Sequence, residues 1–200
     1  MDKKSKYEEY YDFAVKFHGH SCPGMLSGLL MSIYVLENFN VNRAMDEELV
    51  TISEGTSCMV DSFQAVLGTT LGKGNLLIKD YGKNAAVFLN RNTEKGIRLS
   101  FNYLKMREIL GLEDLRPQLQ NLTPNERSEF IKNLYFRLLE KPLNNFIDVE
   151  KINMTFPDEA HIFQTIICES CGEGVMETRI RVKDGRKLCI SCAEGKYWKK

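Results

Sequence analysis

Four cysteines in the last third of this 200-residue chain limit its possible folds more than any other feature. Cys168 and Cys171 form one pair, and Cys189 and Cys192 form a second, in the pattern C-x2-C-x17-C-x2-C. Two such pairs can close a tetrahedral zinc site, and the spacing is typical of structural zinc. A module of about 35 residues cannot bury enough surface to fold alone, so it needs such a metal staple.

Two disulfides or a rubredoxin-like iron site are the alternatives to zinc at these cysteines. The first residues, MDKKSKYEEYYDF, carry charge but no apolar segment, so we expect no secretory signal and a cytoplasmic location. In a reducing cytosol, close cysteine pairs indicate a metal rather than disulfides. We also expect no membrane association, because the longest weakly polar run, Gly24 to Leu36, is too short to span a bilayer.

The rest of the chain mixes helical and strand periodicities, which predicts an α+β fold. Apolar residues make up 43% and charged residues 27%, which is ordinary for a globular protein with a core. Residues 179–200 contain eight basic and two acidic side chains, a shift in composition that favours a separate C-terminal module. We therefore predict an α+β domain over 1–160 and a four-cysteine zinc finger, ribbon-like or treble-clef-like, over 161–200.

Sequence patterns predict individual elements of the first domain. Pro23 suits the first turn of a helix that Ser21 or Cys22 caps, and Thr123 with Glu126 forms a capping box. Asp80-Tyr81-Gly82-Lys83 predicts a hairpin turn between two apolar segments. The predicted elements are a helix ending before His18, helices from Pro23, from Cys58, near 101–111 and near 124–140, and strands at 48–54, 75–79, 85–91 and near 146–155.

The stretch FHGHSCPG, residues 17–24, contains two of the three histidines of the chain. In an extended segment, His18, His20 and Cys22 project to the same side. Cys22 begins a helix, where the dipole and free N–H groups favour the thiolate. Cys58 begins another helix, and close packing of the two helices would bring both thiols to the histidines.

This arrangement predicts a second metal site with mixed nitrogen and sulfur ligands, which we assign to zinc. His20, Cys22 and Cys58 are the favoured ligands, and His18 is either a fourth ligand or a hydrogen-bonding support. The alternative is a helix junction with buried free cysteines and a histidine that caps carbonyls. Asp61, one turn after Cys58, is a candidate catalytic residue that orients a ligand or moves a proton; a capping or solvated role is equally consistent.

Lys73 is the second candidate catalytic residue, because its ammonium group could meet an anionic ligand. It lies in a glycine-rich segment, Gly68 to Gly74, that follows a helix and precedes a strand. A P-loop has the reverse order and a different spacing, so we favour a tight turn over a nucleotide site.

Two segments carry a resemblance to a known family. FHGHSCPGMLSG and EGTSCMVDSFQAVLGTTLGKGNLLIKDYGKNAAVF resemble the FmdE family, which is named for a component of formylmethanofuran dehydrogenase. The first family motif, F-H-G-H-x-C-P-G, is met at every fixed position. The second, G-x-G-K-G-N-L followed by D-x-G-K, is met except that Thr70 replaces its first glycine. Many members of the family also end in a four-cysteine finger.

The resemblance implies an α+β domain with a metal at the His/Cys motif, a homodimer and an appended finger. It implies an enzyme-like or accessory redox-associated protein that acts on a small molecule, with a larger oxidoreductase complex as a candidate partner. The chain shows no pterin or iron–sulfur motif. The alternative function is a nucleic-acid or protein interaction module with both metals structural, which the +6 charge of residues 179–200 favours and the His/Cys cluster does not.

Overall fold

The computed structural model describes residues 3–113 and 115–199, without the side chains of Lys3 and Arg116. The outermost positions of the two predicted domains, residues 1, 2 and 200, lie outside the described residues. The chain divides into two compact units, Met1–Glu159 and Ala160–Lys200, called here the first unit and the finger unit. Within the described residues, no helix combines the length and the apolar character needed to cross a membrane.

The first unit combines helices with a five-stranded sheet, which confirms the α+β prediction. Cys22 caps the second helix and Pro23 occupies its first turn, as the sequence indicates, and Thr123 with Glu126 forms the predicted capping box. A π-helical turn, Phe63–Leu67, extends the short third helix. The helices are α1 (Lys3–His18), α2 (Pro23–Asn38), α3 (Met59–Ser62), α4 (Tyr103–Leu110), α5 (Leu115–Gln120) and α6 (Pro124–Leu139).

The sheet has the strand order β2-β1-β3-β4-β5. β1 and β2 are parallel, because α3 and the π-helical turn carry the chain back along the sheet, and the other neighbouring strands are antiparallel. The strands are β1 (Leu49–Ser53), β2 (Leu76–Ile78), β3 (Ala85–Asn90), β4 (Lys95–Phe101) and β5 (Ile147–Ile152).

The predicted hairpin between residues 75–79 and 85–91 is wrong. β1 lies between β2 and β3, so the segment 80–83 crosses the end of β1 instead of forming a two-strand turn. Its Tyr81 and Lys83 amides both donate to the Glu54 carbonyl, just beyond β1. The hairpin of this region joins β3 to β4, a strand that the sequence patterns did not predict.

Small residues on α2 allow α3 to approach it closely. A Cβ atom on Gly28 would lie 2.3 Å from the Met59 carbonyl oxygen and 2.7 Å from the Met59 Cα. The buried Ser62 hydroxyl donates to the Met25 carbonyl at 2.7 Å and joins the two helices at the same place. The contact positions Cys58 and Asp61 of the second helix beside the start of α2.

The finger unit consists of two short hairpins and a helix. Asp184 and Gly185 form the predicted turn with φ angles of 50° and 75°, values that suit an Asp-Gly type I′ turn. Its buried core contains only Cys168, Leu188 and Cys189 among the described residues. The elements are β6 (Thr165–Ile167), β7 (Gly174–Met176), β8 (Arg181–Lys183), β9 (Arg186–Leu188) and α7 (Ile190–Glu194).

Candidate metal centre

The histidines and cysteine of FHGHSCPG meet at the junction between α1 and α2. His18 is the last residue of α1, so the predicted alternation along an extended segment does not describe this stretch. Gly19 turns the chain with a φ angle of 91°, a region that glycine enters without a Cβ penalty. The turn brings His20 back against His18, and their ring centroids lie 4.4 Å apart.

The ligand atoms of His18, His20 and Cys22, called here the His/Cys group, all lie within 4.8 Å of one another. His18 Nε2 lies 3.7 Å from Cys22 Sγ. Two ligands of one tetrahedral zinc ion, with bonds of about 2.0 Å to nitrogen and about 2.3 Å to sulfur, lie about 3.6 Å apart. The separation therefore fits a shared zinc ion.

Asp61 orients His18 from the neighbouring helix α3. Asp61 Oδ2 lies 2.7 Å from His18 Nδ1, and the His18 side chain is only 9% exposed. A carboxylate accepts, so Nδ1–H donates and the lone pair stays on Nε2, the nitrogen that faces Cys22. Gln64 Nε2 donates to the other Asp61 oxygen at 3.3 Å. A histidine held by a carboxylate in this way is the usual support of a metal ligand.

Cys22 is held as a neutral thiol by its surroundings. The Met25 amide donates to Cys22 Sγ at 3.3 Å, as expected at a helix N-terminus. Burial nevertheless raises the pKa of Cys22 to about 11, and the neighbouring Cys58 thiol adds to the increase. The prediction of a thiolate favoured by the helix is therefore wrong for the metal-free chain, and a metal that binds here must displace a proton.

Cys58 adjoins the His/Cys group without joining it. A Cβ atom on Gly24 would lie 3.2 Å from Cys58 Cβ and 3.7 Å from its Sγ, so Cys58 packs against the first turn of α2. Its thiol influences the pKa of Cys22, but it is not among the ligand atoms that lie within 4.8 Å of one another. The group that the structure brings together thus contains His18, His20 and Cys22.

Lys73 makes structural contacts. Its ammonium group donates to the carbonyls of Ala44 and Met45, at 3.1 and 3.4 Å. Among the hydrogen bonds and ion pairs of the described side chains, none joins Lys73 to the His/Cys group. The predicted role of Lys73 toward an anionic ligand therefore has no support from its contacts.

The four cysteines of the finger unit also converge, with sulfur atoms within 4.8 Å of one another. The Cys171 and Cys189 sulfurs are 3.9 Å apart, close to the about 3.8 Å between two thiolates on one tetrahedral zinc ion. A disulfide would need about 2.05 Å. The backbone N–H groups of Cys171 and then Cys189 donate to Cys168 and lower its pKa to about 6, which favours the thiolate that zinc requires.

Residues 17–148 match the protein family described as FmdE, molybdenum formylmethanofuran dehydrogenase operon. The chain belongs to the FmdE family. Residues 161–197 match the prokaryotic dksA/traR C4-type zinc finger, which agrees with the predicted finger and with the convergence of its four cysteines. The family resemblance and the zinc finger inferred from the sequence are both confirmed.

Similar proteins extend the FmdE assignment beyond the matched segments. A probable S-adenosyl-L-methionine-binding protein from Archaeoglobus fulgidus is 34% identical over 197 residues, which cover 92% of this chain and 52% of that protein. The chain thus spans about half the length of this curated relative. An FmdE-like protein of the tungsten formylmethanofuran dehydrogenase type from Syntrophus aciditrophicus shares the fold, with a TM-score of 0.68, 22% identity and coverage of 96% of this chain and 95% of that one.

Sequence patterns did not reveal two polar residues near the start of α2, Asn84 and Tyr103. The Tyr103 hydroxyl donates to the Pro23 carbonyl at 3.1 Å, and burial raises the pKa of this phenol. Asn84 accepts a hydrogen bond from Ser27 of α2 at 3.1 Å. Both contacts join residues more than 55 positions apart, so no local pattern could have indicated them.

Proposed function

We propose that the FmdE unit, residues Met1–Glu159, binds zinc through the His/Cys group and uses the site to bind and process a small molecule. The observation that carries this proposal is the hydrogen bond from His18 to Asp61, because it points the lone pair of His18 Nε2 toward Cys22. A capping histidine would not need this support. The donor set of two imidazoles and one thiol suits zinc.

Three protein ligands distinguish this group from the four cysteines of the finger. Catalytic zinc sites commonly have three protein ligands and keep a position for water or substrate, whereas structural sites use four. When bound, the ion supplies Lewis acidity. Asp61 holds His18 in one tautomer, and the buried surroundings of Cys22 limit the access of water.

Replacement of Asp61 by Asn is expected to weaken zinc binding at the His/Cys group by about tenfold to a hundredfold, because a neutral amide supports the basicity of His18 less than a carboxylate does. Competition with a fluorescent chelator measures the affinity, and Asp148→Asn, which alters a carboxylate paired with Lys105, is the matched control. The unchanged chain should hold two zinc ions, one in the finger, and Cys22→Ser should hold one. A single zinc ion in the unchanged chain would contradict the proposal.

S-adenosyl-L-methionine is a second candidate, as the small molecule itself, because the 34% identical relative is named for binding it. Isothermal titration of the zinc-loaded chain with this compound should give saturable binding if the property is shared. S-adenosylhomocysteine, which lacks the sulfonium charge, serves as the comparison ligand. Heat signals equal to those of dilution would remove the compound from consideration and leave the zinc proposal untouched.

A further inference from the structure

A cavity of about 510 Å³ opens beside the first turn of α2. Its walls are the segments 55–57 and 80–84, together with Gly24 and Tyr103. The volume lies within the range of small-molecule sites, about 300 to 1,000 Å³. Because Gly24 lines the cavity and also contacts Cys58, a molecule in the cavity lies next to the thiol that adjoins the His/Cys group.

Asn84 offers the cavity an unused hydrogen-bond donor. Its Oδ1 atom accepts from Ser27, which fixes the orientation of the amide. Its Nδ2 atom is buried and has no hydrogen-bond partner of normal geometry among the described residues, although the Tyr103 hydroxyl is nearby. Buried donors in native proteins are nearly always paired, so this one marks a position for an acceptor atom.

The charged side chains of the cavity also favour an anionic ligand. Glu54 already accepts two hydrogen bonds from Arg98, at 2.6 and 2.8 Å. Lys83 lies 3.9 Å from the same carboxylate with 59% of its side chain exposed, so its charge remains available to a ligand. The Asp80 carboxylate is occupied within its own loop, where it accepts from Thr56 and from the Gly82 amide.

We infer that this cavity binds the carboxylate of a small organic acid, with Asn84 Nδ2 and Lys83 Nζ as its donors. The inference rests on the proposed function, since it names the chemical class of the small molecule that would lie beside the metal centre. A carboxylate supplies the acceptors that Asn84 lacks and the charge that matches Lys83. The glycines at positions 24, 55 and 82 leave room for the body of the molecule.

Titration of the full, zinc-loaded chain with sodium benzoate, followed by amide NMR, tests this inference. We expect saturable shifts of the backbone amides of 55–57 and 80–84 and of the Asn84 side-chain amide. Lys83→Met should weaken binding about tenfold or more, because a hydrogen bond to a charged group is lost. Asn84→Asp keeps the acceptor for Ser27 but opposes the ligand with a carboxylate, and it should weaken binding at least as much. Lys79→Met, an exposed lysine just before the segment, is the matched control.

Absence of saturable shifts, or binding that survives both Lys83→Met and Asn84→Asp, would overturn the inference. Inorganic phosphate binding more tightly than benzoate would also overturn it, since the proposed ligand is a carboxylate. Zinc analysis of the same samples separates this result from the proposed function. Two zinc ions without benzoate binding would reject only the carboxylate site, and benzoate binding without the second zinc ion would reject only the metal centre.

Discussion

Removal of zinc is expected to unfold the finger unit and to leave the first unit folded. Two of the three buried residues of the finger core, Cys168 and Cys189, are themselves proposed zinc ligands. Without the metal, the core reduces to Leu188 and its partly buried neighbours, which is too little to offset the entropy of ordering the segment. Structural zinc in such modules contributes about 10 to 16 kcal/mol of binding free energy at neutral pH, and this is folding free energy.

Hydrogen exchange measures this prediction directly. After chelation, or in Cys168→Ser, the amides of β6 to β9 should exchange at the rate of an unfolded chain, while those of β3 and β4 remain protected. Ser170→Ala changes an exposed residue between two ligand cysteines and should keep the protection of the finger. Strands of the finger that stay protected after complete removal of zinc would show that the metal is not what folds this unit.

Replacement of Gly28 by Ala is expected to destabilise the first unit by about 3 kcal/mol or more, at the upper end of what overpacking costs. The new methyl group would meet backbone atoms of Met59 at 2.3 to 2.8 Å, and backbone cannot rotate away as a side chain can. Relief of the clash must move α3 away from α2. Cys58 and Asp61 would move with α3, so the variant should also bind zinc more weakly at the His/Cys group.

Urea unfolding of the zinc-loaded chain, followed by far-ultraviolet circular dichroism, gives the loss of stability from the shift in midpoint at constant slope. Gly72→Ala is the matched control, because a Cβ atom at Gly72 has no heavy atom within 4 Å. Its stability should stay within about 0.5 kcal/mol of the unchanged chain. Equal midpoints for the two variants would mean that the α2–α3 contact tolerates separation.

Features written in adjacent residues were predictable from the sequence. The Cys22 cap with Pro23, the Thr123 capping box and the Asp184 turn each depend on a few neighbouring positions, and each is present. The finger was predictable for the same reason, because cysteine spacing alone defines its two ligand pairs. Local signals of this kind do not depend on what the rest of the chain packs against.

Features that depend on distant residues were not predictable. No local pattern indicates that β1 separates β2 from β3, because the pairing partners of a strand are set by the crossover through α3. The pKa of Cys22 likewise depends on burial, which outweighs the local helix effect. Asp61 was recognised as a candidate support of a ligand, but its bond to His18 spans 43 positions and only the fold reveals it.

The cap of α2 makes the metal centre observable at a single backbone position. Cys22 Sγ accepts a hydrogen bond from the Met25 amide, and the same sulfur atom is a proposed zinc ligand. Loading the site replaces a thiol proton by a cation and so alters the charge on the acceptor of that bond. The chemical shift of the Met25 amide proton is therefore an intrinsic occupancy sensor, which reads the state of the centre without a dye, a chromophore or an activity assay.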